Sequence, residues 1–204
     1  MNHSLIIPIF NEEKTLHKLL EALETLDKDI EIIIINDGST DGTYKILNKI
    51  NSFKVVNNIK NLGKGASIII GEKIATTDNI ILMDGDLEID MNCIPKVIEA
   101  YNFKKNYVIV GTRWNNNSSS IYNVNTFGNF LINHLFNALY KTHLKDVLCC
   151  VKMIDRDLLN SLNLQSRAFS IEAELMSKLA LKKTKFLELN VVYRRRKKKR
   201  RKET

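Results

Sequence analysis

The chain has 204 residues, 44% hydrophobic and 26% charged, enough for one compact α/β domain with a real core and too few for two of ordinary size. Its formal net charge is +8, but nine of its 31 Lys and Arg residues fall in the run 194–202, which leaves 22 bases against 23 acids elsewhere. That local basicity excludes a nucleic-acid binder with a broad cationic face on its folded body, and leaves a terminal patch for lipid or nucleic-acid phosphates, or for water.

Residues 1–193 read as the domain and 194–204 as a basic tail. Cys93, Cys149 and Cys150 lack C-x-x-C spacing, and His3, His17, His134 and His143 lie far apart. Neither a zinc site nor a disulfide framework is indicated, which suits a reducing compartment. The first residues have neither the basic start nor the apolar length of a signal peptide, and no apolar run approaches the roughly 20 residues that span a bilayer. The expectation is a soluble or peripheral protein kept in the cytosol.

In chain order, the apolar runs 5–9, 32–35, 54–56, 80–83 and 107–110 predict strands, mostly of the continuous type buried on both faces. Helical patterns lie between them. Leu16, Leu19, Leu20, Leu23 and Leu26 follow a cap expected at Asn11; Ile68, Ile69 and Ile74 follow Gly65; Val97, Ile98 and Tyr101 follow Pro95. Alternation of this kind predicts a mostly parallel sheet covered by helices on both faces. Beyond a polar loop at 115–120, Phe127, Phe130, Leu131, His134, Leu135, Ala138 and Leu139 recur at helical spacing. That face reads either as core packing or as an amphipathic surface at a membrane interface.

Parallel sheets bind ligands at the carboxyl ends of their strands, and the polar clusters fall there. Asn11 and Glu12 follow the first strand, residues 36–42 the second, residues 61–65 the third, and Asp84-Gly85-Asp86 the fourth. Alone, an Asp-Gly-Asp triplet is an acidic turn; at a strand end its two carboxylates suit magnesium or manganese shared with substrate phosphates. Asp37 is placed to accept hydrogen bonds from a base or ribose, and Ser39 or Asp41 to cap a helix. Lys64, between two glycines at a helix start, offers a cation beside free backbone N–H groups, a setting for a diphosphate.

These loops resemble those of the family 2 nucleotide-sugar glycosyltransferases, and within them the polyprenyl- or dolichyl-phosphate sugar transferases. The matching stretches are IPIFNEEKTL at 7–16, IIINDGSTDGT at 33–43, NLGKGASI at 61–68 and ILMDGDLEID at 81–90. Weaker likenesses follow in VGTR at 110–113, at Asp146 before a strand, in IEAEL at 171–175, and in ELNVVY at 188–193 with Arg196. Asn36, Cys149, Cys150 and Asn190 depart from the family's usual residues.

The resemblance implies a glycosyltransferase A-type, Rossmann-like α/β fold. It implies a nucleotide base near Pro8, Glu12 and Asp37, further binding residues at Phe10, Asn11, Gly38, Ser39 and Lys64, and Mg2+ or Mn2+ at Asp86 with help from Asp84. It further implies a donor of the GDP-mannose or UDP-glucose class and inverting transfer to a polyprenyl phosphate, with Arg113, Arg196 and Lys202 on the phosphates. For a hydroxyl acceptor, Asp146 or Glu174 would serve as base beside the catalytic Asp86. A lipid acceptor also gives the tail a role, holding the protein to an anionic membrane on its cytosolic face. Transfer to a glycan, and a non-catalytic binding module working through the tail, are the alternatives; no specific nucleic acid is expected.

Overall fold

The computed structural model describes residues 2–114 and 124–196, without the side chains of 124–127. The loop 115–120, the Phe127 side chain and the tail from Lys197 through Lys202 lie outside the described residues. Strands β1 (His3–Ile9), β2 (Ile30–Asn36), β3 (Lys54–Asn57), β4 (Asn79–Leu82) and β5 (Tyr107–Thr112) lie where the apolar runs predict them, with ends shifted by up to two residues. Two further strands complete the sheet: β6 (Lys152–Asp155) and β7 (Lys185–Asn190). Their order is β3-β2-β1-β4-β6-β5-β7, parallel throughout except for β6, which runs antiparallel to both β4 and β5.

Successive residues of a strand face opposite sides, and both sides are covered. Leu5, Ile7 and Ile9 pack with helices α1 (Leu16–Glu24), α2 (Thr43–Leu47) and α4 (Cys93–Phe103). Ile6, Ile33 and Ile35 pack on the other side with α3 (Lys64–Ile74), α5 (Val124–Tyr140), α6 (Arg156–Ser161) and α7 (Ile171–Leu181). A sheet sandwiched in this way has only its loop edges open to water.

Two local expectations are corrected, and of the two readings of the α5 face core packing is set aside. The residue at the N-cap of α1 is Thr15, not Asn11; Asn11 takes a left-handed turn with φ 57°, a conformation asparagine tolerates better than most residues. Gly42 holds the N-cap position of α2, while Asp41 accepts from the Thr43 and Glu13 backbone N–H groups. In α5 the predicted apolar face is mostly outward: Phe130, Leu131, Leu135 and Leu139 are exposed, and Phe136 is buried instead. The inner face is fixed by amides, for Asn137 donates to the Leu144 carbonyl at 2.8 Å and the Val147 N–H donates to Asn133 at 2.8 Å.

At the amino ends of the strands, Glu31 ties four segments together. Its buried carboxylate pairs with Lys54 of β3, accepts from Ser4 of β1, and takes the Thr76 N–H at 2.9 Å and hydroxyl at 2.8 Å. Burial pushes this carboxyl up, but hydrogen bonds from Lys54, Ser4 and Thr76 outweigh it and hold it at about 2. A carboxyl depressed in the folded state stabilises the fold above its unfolded value, and that contribution fades as pH falls toward 2. Glu31→Gln is therefore expected to cost about 2–3 kcal/mol at pH 7 by urea unfolding, a difference that narrows below about pH 4.

Candidate active site

At the opposite edge, the carboxyl ends of β1, β2 and β4 open into a cavity of about 340 Å³. Pro8, Ile9, Phe10 and Glu12 come to it from the end of β1, Asp37 from β2, Asn61, Gly63 and Lys64 from the start of α3, and Asp84, Gly85 and Asp86 from β4. Ala168 and Phe169, just before α7, close it from the far side.

The neighbouring loops are stitched by side chains that do not line the cavity. The Asn11 N–H donates to Ser39 Oγ at 2.9 Å, the Thr40 N–H donates to Asn11 Oδ1 at 2.7 Å, and the Glu12 N–H donates to Thr43 Oγ1 at 3.0 Å. Gly38, at φ 67°, passes so close to the next loop that a Cβ would stand 2.2 Å from the Lys60 carbonyl carbon, and only glycine fits there. Gly85 is required for crowding rather than for a turn: its φ is not positive, and a Cβ there would lie 2.3 Å from the Ile9 side chain.

Asp37 lines the cavity, but both of its oxygens are engaged. Oδ1 accepts from Asn58 and from the Leu62 N–H, each at 2.9 Å, and Oδ2 accepts from the Gly63 N–H at 2.8 Å. The N–H groups beside Lys64 are not free for a phosphate, contrary to the sequence reading. Those of Gly65 and Ala66 donate to the Arg167 carbonyl at 2.8 and 3.3 Å. This contact draws segment 166–168 against the loop, which is why a Cβ on Gly63 or Gly65 would stand 2.2 or 2.0 Å from a carbonyl oxygen.

The Lys64 ammonium stands 2.6 Å from Asp84 Oδ1 and 2.8 Å from Glu172 Oε1. Burial alone would lower its affinity for a proton, but the Glu172 and Asp84 charges outweigh burial and keep it cationic. Burial pushes the Asp86 carboxyl up, and the Asp84 and Glu88 charges add to this against the Glu88 N–H and Arg196. Asp86, whose ionised form burial and like charge oppose, and Asp84 two residues before it line an open cavity and have the donor chemistry of a Mg2+ or Mn2+ site completed by substrate phosphate oxygens. Among the described residues no group of three His, Cys, Asp or Glu side chains forms an all-protein cage.

Four other predicted residues lie outside the cavity. Arg113 donates through Nε to Asp146 Oδ2 at 2.7 Å and through Nη2 to Oδ1 at 2.8 Å, and its guanidinium lies over Trp114 and Tyr193. Asp146 is thus buried as the counter-ion of Arg113, with no oxygen turned to the cavity. Glu174 accepts from the Gln165 and Ser166 N–H groups and pairs with Lys178 at 2.7 Å. Arg196 reaches the rim, where it grips Glu12 through two bonds of 2.9 and 2.8 Å and donates to the Asp86 carbonyl.

What the sequence reading missed is Glu172. Residues two apart on a helix point about 200° away from each other, so only one acid of IEAEL can turn toward Lys64, and α7 turns Glu172. Lys152, the fully buried partner of Glu172, carried no sequence signal, since a lone lysine in an apolar run reads as a strand edge.

A profile of glycosyl transferase family 2 matches residues 4–162. The undecaprenyl-phosphate 4-deoxy-4-formamido-L-arabinose transferase of Aeromonas hydrophila is 29% identical over 168 residues, covering 78% of this chain and 50% of that protein. The dolichol-phosphate mannosyltransferase of Pyrococcus furiosus is 31% identical over 119 residues, 56% of this chain and 34% of that one. The chain therefore spans about half or less of the length of these relatives. Among solved structures, glucosyl-3-phosphoglycerate synthase of Mycobacterium tuberculosis with UDP superposes at TM-score 0.72 with 20% identity, over 96% of this chain and 73% of that one. The same enzyme is also solved with Mn2+, UDP-glucose and phosphoglyceric acid. The sheet order, the helices on both faces and these likenesses make the fold the α/β glycosyltransferase A type, and the chain belongs to glycosyl transferase family 2.

Proposed function

We propose that this chain carries the donor site of an inverting, metal-dependent glycosyltransferase that moves a sugar from a nucleoside diphosphate sugar to a polyprenyl phosphate. The observation that carries the reading is the convergence of Asp84, Asp86 and the Lys64 ammonium on one cavity wall at the carboxyl edge of the sheet. Relatives that act on undecaprenyl and dolichol phosphates, and a neighbour solved with Mn2+ and UDP-glucose, support it.

In this reading Asp84 and Asp86 would hold Mg2+ or Mn2+, which would supply charge to neutralise the donor diphosphate as it leaves. Lys64 brings a further positive charge to the same cavity wall. Pro8, Phe10, Glu12 and Asp37 shape the pocket for base and ribose, and Asn11, Gly38 and Ser39 keep those walls in place. An acceptor phosphate is already anionic and attacks the anomeric carbon without a general base, which fits the absence of Asp146 and Glu174 from the cavity lining among the described residues. Arg196 serves the phosphates by exchanging Glu12 for them, while Arg113 supports the acceptor side through its pair with Asp146.

The basic run and the exposed apolar face of α5 together fit a peripheral attachment to the anionic, cytosolic face of a membrane, with residues 1–193 as the catalytic domain. Among the described residues no helix is long and apolar enough to cross a membrane.

With labelled UDP-glucose and GDP-mannose as donors and polyprenyl phosphate as acceptor, label is expected to move into organic solvent in a Mg2+- or Mn2+-dependent way. Asp86→Asn is expected to lower that transfer by roughly a hundredfold or more. Transfer indifferent to chelator would overturn the metal assignment, and a product confined to the aqueous phase would overturn the lipid acceptor.

Flotation with anionic vesicles tests the attachment separately. Each tail cation near such a surface contributes about 1 kcal/mol, so the full chain is expected to float at low salt, to be released at high salt, and to bind far less once residues 197–204 are removed.

A further inference from the structure

The cation in the cavity is held from behind. Lys64 bridges Asp84 and Glu172, and the second oxygen of Glu172 pairs with Lys152 Nζ, which also donates to the Cys149 carbonyl. Four alternating charges therefore run from the cavity wall into the core: Asp84, Lys64, Glu172 and Lys152. Lys152 is 0% exposed and Glu172 6%. Burying an ammonium and a carboxylate costs desolvation that an apolar pair of similar size would avoid, so the arrangement is not explained by stability. Its outer end supplies the explanation, because Glu172 fixes the one end of Lys64 that reaches the cavity.

Resting on the reading of the cavity as a nucleotide-sugar site, we propose that Glu172, with Lys152 as its buried counter-ion, is a positioning residue that aims the Lys64 ammonium at the donor diphosphate. A lysine carries its charge on a flexible four-carbon stem. Anchoring that charge before the ligand arrives moves the ordering cost from binding to folding. The second anchor also matters when another cation takes Asp84, for Lys64 then keeps Glu172 and its charge stays in the cavity.

The test is a double-mutant cycle on the full chain, reading the affinities for UDP and for GDP in the presence of Mg2+ by calorimetry. Lys64→Met and Glu172→Gln are each expected to weaken the diphosphate that the unmodified chain binds by about tenfold or more, the scale of a hydrogen bond to a charged group. Glu172→Gln is expected to have no further effect once Lys64 is Met. Because Glu172→Gln strands a buried ammonium, Glu172→Gln combined with Lys152→Met serves as the folded control and is expected to show the same loss. Additive losses, or undiminished affinity in that folded control, would overturn the positioning role alone. If the unmodified chain binds neither UDP nor GDP, the reading of the cavity falls and this proposal falls with it.

Discussion

Carboxylates drawn away from water must be balanced by positive charge, and at the cavity this balance is struck by a lysine standing between two acids. Lys64 sits within 2.8 Å of both Asp84 and Glu172, and Asp86 next to them is left with burial and like charge working against its ionised form. A cavity in that electrostatic condition is ready to accept further cationic charge, and a ligand rich in phosphate oxygens to share it.

The fold meets that demand by separating its two sheet edges. At the amino edge, Glu31 is fully engaged with Lys54, Ser4 and Thr76, so its charge is spent on joining strands. At the carboxyl edge Asp84 and Asp86 are each engaged through one oxygen, Asp84 with Lys64 and Asp86 with the Glu88 N–H, and both line the cavity. Both edges contain buried carboxylates, and the difference lies in whether every lone pair already has a partner.

The C-terminal segment lies at the rim of the same site, outside the cavity lining. Tyr193 donates to Glu88 at 2.9 Å, the Arg194 N–H donates to the Glu88 carbonyl at 2.7 Å, and Arg196 crosses to Glu12. Residues 191–196 thereby join the loops after β1 and β4, which carry Glu12, Asp84 and Asp86 of the lining. This places the Arg196 guanidinium against the folded body, beside Glu12 at the rim of the cavity.

Much of this was legible in the sequence. The continuous apolar runs and helical spacings determined five parallel strands and their crossover helices, because burial on one or two faces leaves a period that any local window contains. The strand ends then located Asp84, Asp86, Asp37 and Lys64 at one edge, since that consequence of parallel topology needs no atomic detail. Tertiary structure alone decided which acids of the later half bear on the site: Glu172 behind Lys64 and not Glu174, with Asp146 committed to Arg113. It also decided the outward rotation of α5, the antiparallel insertion of β6, and the pairing of Lys152 with a helix twenty residues onward. Those outcomes depend on contacts between segments far apart in the chain, and a hydrophobic period reports only that a side is buried, not what it is buried against.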